Sequence, residues 1–301
     1  MLNNINFLVE NGLNTCYMDS LFMALFYSPS FVENLLLDSD PVKPDYLYLQ
    51  ELIKCKFVET VRNSRSVLSE SINEIRNYAH VSGWLDSENL CGQQDVNEFY
   101  SFIIENFGCR MIEIQRNTLT ETFQSTDDTG KIEIVPFITL LPEEDCDAIS
   151  IKTLFNNWMT NNVAEVERIV MENGERKVCN VKVLNTYKIV NLPGIVPFAI
   201  NRFNRDQRIY TKIDIQKKIK IHPEDEYNQL EWVFHSAICH RGESIKSGHY
   251  YSLIQNCGKW YIFDDLTVPC LTEVQMDDEV ISEMIMRECV FIFYLYNQRY
   301  N

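Results

Sequence analysis

The spacing of hydrophobic residues changes along this 301-residue chain and divides it into two parts. Over about the first 118 residues, apolar positions recur every three or four residues, which is the period of an amphipathic helix. One such stripe runs through Met18, Leu21, Phe22, Leu25 and Phe26. Similar stripes predict helices over residues 31–37, 47–63, 67–78 and 95–107.

The second part of the chain alternates between apolar and polar residues, which is the pattern of strands with one buried face. It predicts strands within residues 119–141 and 178–192, a helix between them near 151–159, and sheet over the remainder to residue 296. Because helices come first and strands follow, the pattern predicts an α+β fold.

Cys16 lies where the first predicted helix begins. The unpaired N–H groups and the positive dipole end of a helix favour a thiolate at this position. A nucleophilic sulfur also needs a base and a group that orients the base, and these residues can be distant in sequence. His249 and Asp264 are the candidates for these two roles.

The pairing of His249 with Asp264 follows from the predicted register of a hairpin. Residues 250–254 and 260–263 are rich in aromatic and β-branched residues, and a turn-forming segment separates them. If Gln255 pairs with Trp260, His249 becomes a diagonal cross-strand neighbour of Asp264. Asp265 should then point the other way, although a one-residue bulge would reverse the choice.

Composition limits the classes of function. The net charge of −16 argues against nucleic acid and anionic membranes as partners and favours a basic partner. No apolar run approaches the roughly 18 residues of a membrane span, and the first residues do not resemble a signal peptide. Ten cysteines without the spacing of a disulfide scaffold fit a reducing compartment, so we expect a soluble intracellular protein, cytoplasmic or nuclear.

Three segments, read together, resemble the cysteine, glutamine-aspartate and histidine boxes of the ubiquitin-specific proteases. They are Asn11-Gly12-Leu13-Asn14-Thr15-Cys16, Gln93-Gln94-Asp95-Val96-Asn97-Glu98 and Ser247-Gly248-His249-Tyr250, the last followed by Asp264 and Asp265. The resemblance implies one papain-like catalytic domain over residues 1–301. It would comprise a helical thumb (about 1–118), fingers (about 119–190) and a β-sheet palm (about 191–301).

The resemblance also implies roles for residues around the nucleophile. The side-chain amide of Asn11 and the N–H of Cys16 would hold the oxyanion. Leu13 departs from the family, which usually has glycine three residues before the nucleophile, whereas glycine stands one place earlier here, as Gly12. The alternative interpretation is that Asn11 and Gly12 only form a turn.

For substrate binding, the resemblance assigns Asp95 and Glu98 to the arginines of the ubiquitin tail, together with Gln94, Gly248 and Tyr250. Asp95 and Glu98 also have the spacing of a capping box, in which they would only stabilise a helix N-terminus. The two roles can coexist.

We expect no metal and no cofactor. Many family members bind zinc through two Cys-x-x-Cys pairs in the fingers, but no two cysteines of this chain are that close. His235, Cys239 and His240 come nearest to a cluster, and packing within a strand explains them better than a metal site. The sequence therefore predicts shortened, zinc-free fingers.

Together with these residues, the resemblance implies a monomeric cysteine protease that hydrolyses the bond after the C-terminal glycine of ubiquitin through a thioester. Ubiquitin or ubiquitinated proteins would be its partners. Two alternatives stay open at this point. One is a ubiquitin-binding module with weak catalysis, and the other is a protease for another ubiquitin-like modifier with a diglycine tail.

Overall fold

The fold is described from a computed structural model of the chain. The structure describes residues 7–84, 91–120, 130–143, 146–172, 175–204, 207–221, 230–244 and 247–297. The helices in these ranges are α1 (Cys16–Phe26), α2 (Val32–Leu37), α3 (Pro44–Leu52), α4 (Glu59–Arg62), α5 (Ser69–Val81), α6 (Val96–Asn106), α7 (Ile151–Thr160) and α8 (Glu279–Glu288). None of them is long and apolar enough to cross a membrane.

All the predicted helices of the first part are confirmed, with small shifts at their ends. The predicted helix over 47–63 is a continuous run in which the π-helical segment Ile53–Val58 joins α3 to α4. It begins earlier than predicted, at Pro44, because proline is well accommodated in the first turn, where its missing N–H has no helical partner. The helix α5 extends to Val81 and is followed by Gly83 at φ 107°.

The second part is mostly strand. The strands are β1 (Ile112–Thr120), β2 (Lys131–Val135), β3 (Ile138–Leu140), β4 (Ala148–Ser150), β5 (Asn162–Glu172), β6 (Glu175–Asn191), β7 (Ile195–Ile200), β8 (Phe203–Asn204), β9 (Gln207–Arg208), β10 (Lys212–Asp214), β11 (Lys218–Ile221), β12 (Leu230–Ser244), β13 (Ser247–Asn256), β14 (Lys259–Phe263), β15 (Leu271–Val274) and β16 (Cys289–Tyr296). Helices therefore precede strands, and the predicted α+β class is confirmed.

The largest sheet has the order β15-β14-β13-β12-β16-β7-β3, with β11 beside β12. It is buried on both faces near its centre, since alternate residues of β16 enter different cores. Phe291 and Phe293 pack with the helices of the first part, where Tyr100 of α6 contacts both rings. Ile292 and Tyr294 point into the core on the opposite face.

A second, four-stranded antiparallel sheet has the order β2-β1-β6-β5. One face packs against α7, where the ring of Trp158 stacks on Tyr187 at a centroid distance of 4.3 Å. The opposite face is open. Its cross-strand register places on this face both exposed charged residues, such as Lys182 and Lys188, and these exposed apolar side chains: Ile132, Ile134, Val163, Ile169 and Val178.

Candidate active site

Cys16 is the first residue of α1, and Thr15 is the residue before the helix. Helix α1 packs directly on β12 and β13, so it brings Cys16 to the strand that carries His249. The thiol is buried, with 4% of the residue exposed. Within the described ranges, the backbone N–H of Cys16 donates to no acceptor. A free N–H beside the nucleophile is what an oxyanion site requires.

The hairpin of β13 and β14 has the predicted register. Gln255 pairs with Trp260, and the last pair of the ladder joins Ser252 to Phe263. His249 and Asp264 meet just beyond this ladder, where His249 Nε2 lies 2.8 Å from Asp264 Oδ1. The predicted proximity of these two residues is therefore confirmed.

The expectation that Asp265 points away from His249 is wrong. Asp265 Oδ1 lies 3.5 Å from His249 Nε2, and its Oδ2 accepts a hydrogen bond of 2.6 Å from Asn11 Nδ2. The strand ends at Phe263, and the chain then turns so that the Asp264 N–H donates to the Cys270 carbonyl. Strand alternation applies only within the ladder, so it does not fix the direction of Asp265.

The electrostatics of the site favour a charged histidine. Burial lowers the pKa of His249, but hydrogen bonds with Asp264 and Cys16 and the two nearby carboxylates outweigh it and raise that pKa to about 10. Burial raises the pKa of Asp264, yet the bond to His249 and the N–H of Leu266 leave it lowered. His249 is thus protonated at neutral pH and lies as a cation beside the Cys16 side chain.

The loop before Cys16 is held from several sides. Besides the bond from Asn11 to Asp265, the Gly12 N–H donates to Thr15 Oγ1 at 2.7 Å. Arg76 of α5, which is 5% exposed, donates from Nη1 to the Leu13 carbonyl at 2.7 Å. Leu13 itself has φ 72° and is exposed, so a bulky residue occupies left-handed backbone here.

The position of the glycine in this loop has a steric reason. A Cβ atom on Gly12 would lie 2.8 Å from Asn73 Oδ1 and 3.0 Å from the Thr15 methyl group. Asn73 is itself fixed, because its Oδ1 accepts a bond of 2.6 Å from Arg76. A side chain therefore does not fit at position 12, whereas position 13 faces solvent.

Asp95 caps α6, as one of the two readings of this motif predicts. One carboxylate oxygen accepts from the N–H groups of Asn97 at 2.7 Å and Glu98 at 3.1 Å. Asp95 also borders a cavity of about 250 Å³ together with Tyr250 and the buried His240. Glu98 is exposed on the following turn, and its pKa is raised by partial burial and by the charge of Asp95.

The other predicted substrate-binding residues are Gly248 and Tyr250, which lie on β13, and Gln94, which lies in the loop before α6. Gly248 accepts a hydrogen bond on its carbonyl from Gln93, the residue before Gln94. A Cβ on Gly248 would lie 2.3 Å from His240 Nε2, so glycine is required for the His240 ring to pack against the backbone. Burial raises the pKa of Tyr250, and the charge of Asp95 adds to this shift.

The three residues near one another on β12 do not form a metal cluster. Cys239 is buried, His235 is half-buried, and His240 packs on Tyr250 at a ring distance of 4.7 Å. In the part of the chain that the structure describes, the group of metal-ligating side chains that comes together is His249, Asp264 and Asp265, within 4.8 Å. These atoms already bond one another or Asn11.

Comparison with known proteins identifies the family. Residues 9–294 match the ubiquitin carboxyl-terminal hydrolases. The chain belongs to this family. Family membership makes it a deubiquitinating thiol hydrolase, and the predicted family and class of enzyme are confirmed. No curated protein sequence matches the chain.

Solved structures with the same fold include three forms of the Ubp8 deubiquitinase module. The SAGA module of Ubp8, Sgf11, Sus1 and Sgf73 bound to monoubiquitin has 14% identity and a TM-score of 0.64, covering 96% of this chain and 69% of that chain. The module bound to ubiquitin aldehyde has 15% identity and a TM-score of 0.65, covering 99% and 72%. The yeast module with an Sgf73 mutant has 15% identity and a TM-score of 0.65, and the match covers 96% of this chain and 68% of that chain.

Sequence reasoning assigned no role to three residues around the site, Thr15, Asp19 and Arg76, and gave Asp265 the wrong direction. Asp19 is fully buried on α1, and the Thr15 hydroxyl donates to its Oδ2 at 2.7 Å. A polar residue on the apolar stripe of α1 was a visible signal for Asp19. Nothing local in the sequence distinguishes Arg76, whose partner Leu13 is 63 residues away.

Proposed function

We propose that Cys16, His249 and Asp264 form the catalytic group that hydrolyses the bond after the C-terminal glycine of ubiquitin. The observation that carries this proposal is the contact of one histidine with both a carboxylate, at 2.8 Å, and the thiol at a helix N-terminus. Because Nε2 faces Asp264, Nδ1 is the ring nitrogen left to face Cys16.

The reaction begins with the thiolate of Cys16 attacking the glycine carbonyl, while the proton of the thiol resides on His249. His249 then gives this proton to the departing lysine amine, and the acyl group stays on sulfur as a thioester. In the second step His249 accepts a proton from water as the water attacks the thioester. Asp264 keeps the ring oriented throughout, because its carboxylate accepts from Nε2.

The oxyanion would lie between the Cys16 N–H and the Asn11 amide. The N–H has no acceptor in the described part of the chain, and the amide is oriented by Asp265. Both groups are fixed before substrate arrives, and preorganised donors are what stabilise developing charge best.

Ubiquitin as the partner is supported by the surfaces that flank the site. Asp95 borders a cavity beside Tyr250, and Glu98 is exposed one turn further along α6, so two acidic groups could pair with arginines of the ubiquitin tail. The open face of the four-stranded sheet, which carries both apolar and charged exposed side chains, offers a second contact for a folded partner. Two of the similar Ubp8 structures contain ubiquitin or ubiquitin aldehyde.

The test compares Cys16→Ala with Cys55→Ala, which changes an exposed cysteine away from the site. Hydrolysis of a fluorogenic ubiquitin C-terminal amide should disappear in the Cys16 variant, and binding of free ubiquitin should persist. The Cys55 variant should behave as the wild type. Hydrolysis retained without Cys16 would disprove the thiol mechanism.

A panel of activity probes built on ubiquitin and on other diglycine-tailed modifiers tests the substrate. Labelling of Cys16 by the ubiquitin probe supports the proposal. Labelling by another modifier alone would reassign the substrate, and binding of ubiquitin without any labelling would leave a binding module.

A further inference from the structure

Asp19 is a completely buried carboxyl group that the mechanism above does not use. It lies on α1 three residues after Cys16 and therefore on the same side of the helix. Its Oδ2 accepts the hydroxyl of Thr15 at 2.7 Å. Its Oδ1 is buried and has no hydrogen-bond donor among the described residues. An ionised carboxylate in such a place would carry a large desolvation cost.

The neighbour of Asp19 is another acid. The carboxyl of Asp265 lies within hydrogen-bonding reach of Asp19, while its Oδ2 accepts from Asn11. Asp265 Oδ1 is also buried without a hydrogen-bond donor in the described ranges. Two carboxylates only accept hydrogen bonds, so a bond between them needs one proton. Burial, and then the charge of Asp265, raise the pKa of Asp19 well above its ordinary range, and burial raises the pKa of Asp265 as well. The proton belongs on Asp19, because Asp19 is the more deeply buried acid and Asp265 already has the Asn11 amide as a donor.

These bonds form a ring around the Asn11-Gly12 dipeptide. The Gly12 N–H donates to the Thr15 hydroxyl, which donates to Asp19. With a proton on its carboxyl, Asp19 would donate to Asp265, which accepts from the Asn11 amide. The ring thus fastens both residues of the dipeptide to α1 and to the loop after β14.

We propose that Asp19 is a positioning residue that, as a neutral acid donating to Asp265, fixes the Asn11 amide at the oxyanion site. The inference rests on the proposed function, because it takes Asn11 as the oxyanion donor. Loss of the proton would place two negative charges in contact, and Asp265 would no longer be held where it accepts from Asn11.

The charged and titratable groups that face the two acids influence which of them holds the proton. His249 on β13 faces Asp265 at 3.5 Å and stabilises a negative charge there. Cys16 on α1 lies near Asp19, and its interaction with that acid adds to the rise in the pKa of Asp19. Asp264, on the segment between β14 and β15, acts in the opposite direction, because its negative charge adds to the rise in the pKa of Asp265, and Cys270 on the same segment is a neutral thiol.

The first experiment measures stability against pH for the wild type, Asp19→Asn and a surface control, Asp277→Asn, by denaturant unfolding between pH 5 and 9. The unfolded chain loses the Asp19 proton above about pH 4, but the folded protein keeps it. The wild type should therefore lose stability relative to Asp19→Asn as pH rises, by up to about tenfold in the unfolding equilibrium constant per pH unit. The control should parallel the wild type. A constant difference between wild type and Asp19→Asn would overturn the proposal.

The second experiment measures kcat and KM on the fluorogenic ubiquitin amide. Asp19→Leu, which fills the site without a donor, should lower kcat by about 10²–10³ with little change in KM, as Asn11→Ala should. Asp19→Asn supplies an amide donor and should restore most of the lost activity. The double variant Asn11→Ala, Asp19→Leu should lose no more than Asn11→Ala alone, because both changes remove one interaction. Multiplied losses, or an Asp19→Asn variant as inactive as Asp19→Leu, would refute the role.

The two experiments separate this inference from the proposed function. If the wild type hydrolyses no ubiquitin substrate, the proposed function fails, and the pH dependence of stability still decides whether Asp19 holds the proton. If Asp19→Leu does not fold, the same pH dependence and the activity of Asp19→Asn decide the question.

Discussion

Replacing Asp264 with asparagine should change the acid-base chemistry of His249 by an amount that the structure sets. The bond between them is 2.8 Å long, and the two side chains are only 14% and 12% exposed. A hydrogen bond to a charged group contributes about 1.5–3 kcal/mol net, which equals about one to two pKa units. The pKa of His249 should thus fall from about 10 to about 8–9, because Cys16 and Asp265 still face the ring.

The sign of the linked stability change follows from the same shift. The folded pKa of His249 lies above its ordinary 6.5, so His249 stabilises the fold fully below about pH 6.5, and this stabilisation is lost as pH rises toward about 10. In Asp264→Asn the loss should begin at the same pH and end about one to two units lower. NMR titration of the His249 ring, and unfolding curves from pH 6 to 10, would measure both effects.

The rate should respond more strongly than the pKa, since asparagine also favours the wrong ring orientation. Replacing the orienting carboxylate of a catalytic triad with an amide costs about 10⁴ in kcat in the serine proteases. Asp265→Asn is the matched comparison, because it changes the acid that lies 3.5 Å away and does not donate or accept at the ring. Its effect on the pKa of His249 should be less than half as large. Equal shifts in the two variants, or a loss of rate below about threefold for Asp264→Asn, would refute the assignment.

Three further outcomes are expected. Leu13→Gly should raise the free energy of unfolding by about 0.5–1 kcal/mol, because glycine adopts left-handed backbone without strain. Leu13→Ala keeps the strain and should not raise it. Equal melting curves for the two variants would contradict the presence of strain at position 13. The purified protein should contain no stoichiometric zinc and should melt unchanged in chelator, and one zinc per chain would contradict this. Asp95→Asn keeps the helix cap and should weaken ubiquitin binding about thirty-fold or more without loss of stability. Glu98→Gln changes an exposed carboxylate and should weaken binding less. Unchanged affinity in both variants would leave Asp95 and Glu98 with structural roles alone.

The helices and the hairpin were predictable because each depends on nearby residues. The period of the apolar stripe placed α1, and the turn between β13 and β14 fixed a register that the structure has residue for residue at Gln255 and Trp260. Local patterns therefore predicted that Cys16 lies at a helix N-terminus and that His249 lies beside Asp264. The resemblance supplied what these rules do not, which is that α1 and β13 pack together.

The errors and omissions lie where the chain leaves regular structure. Asp265 follows the last residue of β14, so its direction depends on a turn closed by the Cys270 carbonyl and not on strand alternation. Arg76 belongs to α5 by its helical pattern, yet its contact with Leu13 depends on how α5 packs against the catalytic loop. Periodicity carries no information on such contacts between distant segments.

The buried acid on α1 shows what kind of residue links the fold to the chemistry. An apolar side chain at position 19 would continue the stripe of the helix and would avoid burying a carboxyl group, so packing alone does not account for Asp19. Its bonds lead from Thr15, beside the nucleophile, to Asp265, which contacts both Asn11 and His249. One carboxyl thus connects the loop that would stabilise the oxyanion with the strand end that holds the base. The two halves of the site come from opposite ends of the chain, and a buried ring of hydrogen bonds between them fixes the relative positions of their atoms. Apolar packing has no directional preference and would not fix these positions.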